Sequence, residues 1–159
     1  MQGTNPMSGE YYLPSFYFRV AFSGVLGSAV PSDNSFLEVS GIKAELETES
    51  YKEGGENRFE HSLPKGVKYS PLVLKRGIAK MSSPFVMWCQ EVFEAGFVLP
   101  IQTMELTVSL LDSSGAPARS WSIVNAYPIS WEVEAFNSEK NEVAIEKIEL
   151  KYNYFERIL

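Results

Sequence analysis

The chain is 159 residues long, 45% apolar, 13% aromatic and 21% charged, with a formal net charge of −6. That length suits one domain with a core of its own, free of disulfide or metal staples. The lone cysteine, Cys89, excludes an intrachain disulfide, and the acidic balance points away from nucleic acid or an anionic membrane surface as a partner.

Residues 1–14 read as a flexible N-terminal arm. Met1–Glu10 has neither the basic nor the apolar region of a secretory signal, and no run reaches the ~20 apolar residues of a membrane span. Residues 15–159 read as a single domain. Phe16, Phe18, Val20 and Phe22 alternate with Tyr17, Arg19, Ala21 and Ser23, which predicts a strand over Ser15–Ser23. Gly24–Asn34, with two glycines, a proline and Asp33-Asn34, reads as a loop.

The stretch from Phe36 to Gly77 organises the rest. Leu37 and Val39 alternate with Glu38 and Ser40. After Gly41 the apolar phase moves by one, to Ile42, Ala44 and Leu46. A slip of one turns every side chain to the other face unless a bulge or bend absorbs it, and glycine is the residue for that. Glu49–Ser70 then reads as a long polar loop holding Gly54, Gly55, Pro64 and Gly66. Tyr51, Phe59, Leu63, Val67 and Tyr69 run through it, too many apolar groups for a plain linker. It reads as an arm that packs on something, a second subunit included. Leu72-Val73-Leu74 resumes as a compact strand ending in Lys75-Arg76-Gly77.

Ser83 before Pro84 opens the one helical pattern, with Phe85, Trp88, Cys89, Val92 and Phe93 on one stripe and Gly96 as its stop. Met104, Leu106, Val108 and Leu110 mark a strand, Asp112–Gly115 a hairpin turn, and Ala118–Asn125 a return strand with Trp121 and Ile123 on one face. Pro128 interrupts, and Ile129–Ala135 continues as a bent strand. Asn137–Asn141 is a second turn. Glu142–Phe155 is the last strand; Val143 and Ile145 lead, Ile148, Leu150, Tyr152 and Tyr154 follow, and the change of phase predicts a bulge near Glu146-Lys147. Six or seven strands, one helix and no βαβ rhythm give a mainly β fold: a small antiparallel β-barrel or sandwich with one α-helix over one side or end.

Catalytic chemistry finds little to use. His61 is the only histidine, which removes nucleophilic triads and histidine-based metal sites. Cys89 stands on the apolar helix stripe, the place of a buried structural thiol. Gly54-Gly55 lacks the lysine and the strand–loop–helix context of a phosphate cradle. The carboxylates Glu45, Glu47, Glu49, Glu132, Glu134, Glu142, Glu146 and Glu149 include pairs suited in principle to glycosidase chemistry, but they read as solvated faces of amphipathic strands. No enzyme, cofactor or metal is expected. Long amphipathic strands without blunted edges favour pairing between identical subunits.

The run EVSGI, then E-x-E-x-Y-x-E-G-G-E-N, then LP-x-G-x-KYS-x-LVLKRG resembles the tail tube proteins of contractile phages and phage-like contractile injection systems. VSLLD, W-x-IVNAYPISW and NEVAIEKIEL-x-YNYF complete the signature in order. The resemblance covers Ser15 to Arg157, and it extends in fold to the haemolysin-coregulated tube protein of type VI secretion. It implies a tail-tube-like β-barrel that forms six-membered rings, stacked into a hollow tube within a sheath, made in the cytoplasm and then part of a tail or tail-like particle. It implies as partners the chain itself, sheath and baseplate proteins, and effector cargo or DNA in the lumen. Carried over by motif, Tyr51, Glu53, Gly54, Gly55, Glu56, Asn57, Arg58, Phe59, Lys68 and Tyr69 are expected at the contact with the neighbouring ring. Lys75 and Arg76 are expected at a subunit contact. Glu45, Glu47, Glu49, Glu142, Glu146 and Glu149 are the lumen-facing candidates. The segment before Ser15 and the loop Gly24–Asn34 are longer than the core pattern, which keeps open a tube initiator or adaptor ring at the baseplate. A reading of another class is a monomeric carbohydrate-binding β-sandwich with an aromatic platform.

Overall fold

The computed structural model describes residues 17–23, 32–52, 54–55, 58, 60–79, 82–134, 139 and 144–159. The arm expected over 1–14, residues 24–31 of the expected loop and, apart from Glu139, the turn at 137–141 lie outside the described residues.

In chain order the elements are β1 (Tyr17–Ser23), β2 (Ser32–Phe36), β3 (Glu38–Ser40), β4 (Ala44–Tyr51), β5 (His61–Tyr69), β6 (Leu72–Gly77), α1 (Pro84–Glu94), β7 (Met104–Leu111), β8 (Pro117–Val133), β9 (Ile145–Lys151) and β10 (Tyr154–Arg157). Every strand pairing among them is antiparallel. The described residues are therefore mainly β with one helix. Eight strands form one sheet in the order β2-β1-β7-β8-β9-β6-β3, with β10 beside β8, and β4 with β5 forms a separate two-stranded ribbon. The two ends of that path, β2 and β3, are joined in sequence through Leu37 alone, whose amide donates to Lys75 O at 2.9 Å.

In β1, Val20 and Phe22 are buried, as the alternation expects. The expected loop Gly24–Asn34 is shorter than its composition suggests. Asn34 and Asp33 pair with Arg19 and Val20 in the β1–β2 ladder, because a partner strand overrides weak local turn preference. The return hairpin at Asp112 follows expectation. Asp112 Oδ1 accepts from the Ser114 amide at 2.8 Å, the Ser114 hydroxyl at 2.6 Å and the Ala116 amide at 3.0 Å.

Pro128 does not interrupt its strand. β8 runs 17 residues through it. Pro128 lies opposite Leu150 and Ser130 opposite Glu149, so Ile129 is the extra residue of a bulge, which is where a strand accepts proline. Asn125, at φ 53, lies further up the same strand, where its partner changes from β10 to β9. The expected bulge at Glu146-Lys147 is absent. The β6–β9 ladder runs without a shift from Leu72–Leu150 to Gly77–Ile145. The apparent change of phase arises because Glu146 itself takes a core-facing position beside Ile148 and Leu150.

The core gathers Val20, Leu72, Leu74, Leu106, Val108, Ile123, Ile148 and Leu150 from the sheet. α1 closes it with Phe85, Val86, Trp88 and Cys89. Phe85 stacks on Phe22 at 4.6 Å between ring centroids and meets Phe36 edge-on at 5.6 Å. Pro84 stands at the helix start after Ser83, as expected, but the Ser83 hydroxyl does not cap the helix; it accepts from Arg76 Nη2 at 2.9 Å. Gly96, at φ 58, follows the C-terminal residue Ala95 and stops the helix.

Candidate assembly interface

The segment expected to be a long loop over Glu49–Ser70 is largely strand. β4 and β5 pair from Ala44–Tyr69 to Tyr51–His61. Glu47 faces Gly66 and Thr48 faces Pro64, which leaves Lys65 as the extra residue of a bulge. Pro64 and Gly66 signal a loop by composition, yet a bulge on an edge strand accommodates both.

This ribbon continues one that begins in the body. β3 and β6 end with Ser40 opposite Val73, and β4 and β5 begin with Ala44 opposite Tyr69, so the intervening spans are equal on both strands. Gly41 sets the departure. Its φ is +88, and a Cβ there would lie 1.9 Å from Pro71 O. Tyr152 donates its hydroxyl to Gly41 O at 3.1 Å, and Tyr69 packs on Tyr152 and Phe155 at centroid distances of 5.9 and 5.6 Å. An aromatic cluster thus anchors the base of the ribbon, while its strands are exposed along their length.

The two faces of the ribbon differ in chemistry. Directly paired residues share a face, and alternate residues repeat it. One face carries Ala44, Leu46, Thr48 and Ser50 with Tyr69, Val67, Pro64 and Ser62, and not one of these is charged. The other carries Glu45, Glu47, Glu49 and Tyr51 with Lys68, Gly66, Leu63 and His61. Lys43 Nζ, 2.5 Å from Glu45, holds that carboxyl below the usual carboxylate range. Leu46 and Val67, paired on the uncharged face, are 59% and 55% exposed.

Of the residues expected at the contact with a neighbouring ring, Tyr51, Lys68 and Tyr69 lie on β4 and β5, and Gly54, Gly55 and Arg58 lie between these strands. Glu53, Glu56, Asn57 and Phe59 lie outside the described residues. Among the lumen-facing candidates, Glu45, Glu47 and Glu49 share one exposed face, and Glu142 lies outside the described residues. Glu149 is half-buried on β9, 2.8 Å from Lys147 Nζ. Its hydrogen bond is the leading cause that raises the Lys147 ammonium above its ordinary value.

Two expectations need correction. Glu146 is buried and does not face a lumen. Its Oε2 accepts from Arg76 Nε at 2.8 Å and its Oε1 from Trp131 Nε1 at 2.7 Å. Arg76 is likewise buried, with its guanidinium over the Phe36 ring at 4.9 Å, so it serves the interior and not a subunit contact. A buried charge requires a partner, and no local pattern signals that Arg76 and Glu146, 70 residues apart, supply each other. Lys75 points the other way and reaches Glu134 at 3.3 Å and Glu38 at 3.8 Å.

A second exposed apolar surface escaped the sequence reading. Phe97 and Val98 are 80% and 84% exposed, and Leu99 and Phe93 are exposed beside them. Phe97 follows Gly96 into the left-handed region at φ 61, a rare conformation for an aromatic residue. The run FVLPI in the sequence was the available signal. Burial pushes the Cys89 thiol up to about 12, far from a nucleophile's range. Among the described residues no group of three or more His, Cys, Asp or Glu is placed to hold a metal ion.

The profile of the T4-like virus tail tube protein gp19 family matches residues 14–156. Solved structures with the same fold include a chain of the anti-feeding prophage baseplate, six-fold symmetrised, at 24% identity and TM-score 0.74, covering 99% of this chain and 97% of that one. A chain of the PVC extracellular contractile injection system, in its sheath–tube complex in the extended state, has 21% identity and TM-score 0.71, with 93% and 92% covered. Hcp1 from Flavobacterium johnsoniae has 12% identity and TM-score 0.56, with 90% and 95% covered. No curated protein matches the sequence. The chain belongs to the T4-like virus tail tube protein family.

Proposed function

We propose that this member of the tail tube family assembles with copies of itself into six-membered rings that stack as the hollow inner tube of a contractile tail or injection device. The role is mechanical: repeated interfaces carry it, and residues 15–159 act as one unit. In this reading β2 and β3, the two ends of the sheet path joined in sequence through Leu37, act as one bent strand of a small barrel. The observation that carries the reading is the β4–β5 ribbon. A lone two-stranded ribbon is marginal in water, yet this one leaves the body with an uncharged face and with Leu46 and Val67 uncovered. Covering each of that pair would contribute on the order of 1 kcal/mol. Rings supply that cover at every subunit.

In this arrangement the uncharged face meets a neighbouring ring, and Glu45, Glu47 and Glu49 line the lumen with Glu142 and Glu149. An acidic wall repels DNA and lets it or effector cargo pass without adhesion. Lys75 lies near the subunit contact. Sheath and baseplate proteins are the outer partners, and the chain passes from cytoplasmic synthesis into the particle. Negative-stain imaging of the purified chain tests the proposal. Rings or hollow tubes with six-fold end views are expected. A monodisperse monomer under all conditions, with no particle that contains it, overturns it.

A further inference from the structure

We infer that strand β5 of one copy docks across the C-terminal turn of α1 and the Phe97–Leu99 segment of the next copy. This rests on the self-assembly reading and names the surface that the ribbon meets.

The two surfaces are complementary in charge. β5 carries Lys65 at its bulge and no carboxylate, while Lys68 lies across from Glu45 on the other face. From Ser82 to Ala118 the chain has no lysine or arginine, and its acids include Glu91 and Glu94. Both stand in the last turn of α1, and that turn has no basic residue. Carboxylates at a helix C-terminus oppose the helix dipole, so the helix alone gives no reason for them. A cation brought by another chain does. Lys65, Glu91 and Glu94 enter none of the ion pairs formed among the described residues.

The surfaces also match in apolar content. Val67 lies two residues beyond Lys65 on β5 and shares the uncharged face with Leu46, both more than half exposed. Opposite them stand Phe97, Val98 and Leu99, held outward by two consecutive residues in the left-handed region, Gly96 and Phe97. Strain of that kind persists where surrounding structure or function requires it. A small notch between the helix and this segment is lined in part by Trp88, Val92, Phe97 and Leu99. The contact joins different patches on the two copies. It is therefore heterologous and propagates into a ring or a stack.

The experiment is a charge swap in the full chain, read as pelletable assembly and by negative stain. Lys65→Glu and Glu94→Lys, each alone, lower the assembled fraction about tenfold at matched concentration, and the double variant restores most of it. Both sites are exposed, and Glu94→Lys favours the helix dipole, so circular dichroism and thermal melts stay at wild-type values. As a second measurement, zero-length carbodiimide cross-linking of wild-type assemblies yields an isopeptide between Lys65 and Glu91 or Glu94 of another copy. Singles that assemble like wild type overturn the contact, as do singles whose loss the double fails to repair, or assemblies that give no such cross-link. A wild-type chain that never assembles removes the self-assembly reading instead, and this contact with it.

Discussion

Arg76 and Glu146 face each other across the β6–β9 ladder with 2.8 Å between Nε and Oε2, their side chains 5% and 3% exposed. Arg76 also donates to the Ser83 hydroxyl and Trp131 to Glu146, so the pair ties the start of α1 to β8 and β9. Removing one member leaves the other buried and uncompensated. Arg76→Met alone is expected to cost about 3–5 kcal/mol in denaturant unfolding. The double variant Arg76→Met with Glu146→Leu is expected to recover much of that loss, because apolar side chains replace a buried ion pair at little net cost. A double variant no better than the single would refute this account.

Gly41 is the hinge from which the ribbon leaves the sheet. An alanine Cβ there meets the Pro71 carbonyl in a backbone conformation that L residues rarely adopt. Gly41→Ala is expected to destabilise by more than about 2 kcal/mol and to release the ribbon from its aromatic base. Gly54→Ala, where a Cβ would meet nothing within 4 Å, is expected to stay within about 0.5 kcal/mol of wild type. Equal effects at the two sites would show that the hinge is not constrained.

Cys89 is closed to reagents. Its thiol is buried on α1 and pushed up to about 12, chiefly by desolvation. Below that value the folded protein holds it as the unreactive thiol. At pH 8 a thiol reagent is expected to label Cys89 only at the rate of unfolding, with full labelling in denaturant. Rapid labelling under native conditions would contradict the burial.

Asp112 gives a pH signature. Hydrogen bonds, first that of the Ser114 hydroxyl, hold its carboxyl below the ordinary value. A folded pKa below the unfolded one means the contribution is present above the unfolded value of about 3.9 and fades as pH falls through the folded one. Asp112→Asn is therefore expected to lower the melting temperature near neutral pH and to match wild type in strong acid. A difference that stays constant across that window would exclude the carboxylate as its source.

The acidic face of β4 tests the lumen assignment. With Cys89 silent, Glu47→Cys provides a single reactive site at an exposed position. A bulky polymeric maleimide is expected to modify it readily in the free chain and at least about tenfold more slowly within assembled tubes, because the lumen excludes the polymer. Equal rates would place Glu47 on an outer surface and end the lumen reading.

The sequence by itself determined the β-rich class, the helix with its stop at Gly96, the Asp112 hairpin and the break at Gly41. Each rests on local alternation, capping or backbone freedom, which adjacent residues carry. It also carried the family signature. Long-range pairing decided the rest. Pro64, Gly66 and Pro128 signal loops one residue at a time, but bulges absorb them once a partner strand supplies the ladder. Glu146 looks like a solvated carboxylate until the fold brings Arg76 to 2.8 Å. The chemistry of the ribbon's two faces emerges only from the register of β4 against β5, since which side chains share a face depends on the bulge at Lys65. Burial and register are properties of segments distant in sequence, and no local pattern encodes which distant residue will arrive.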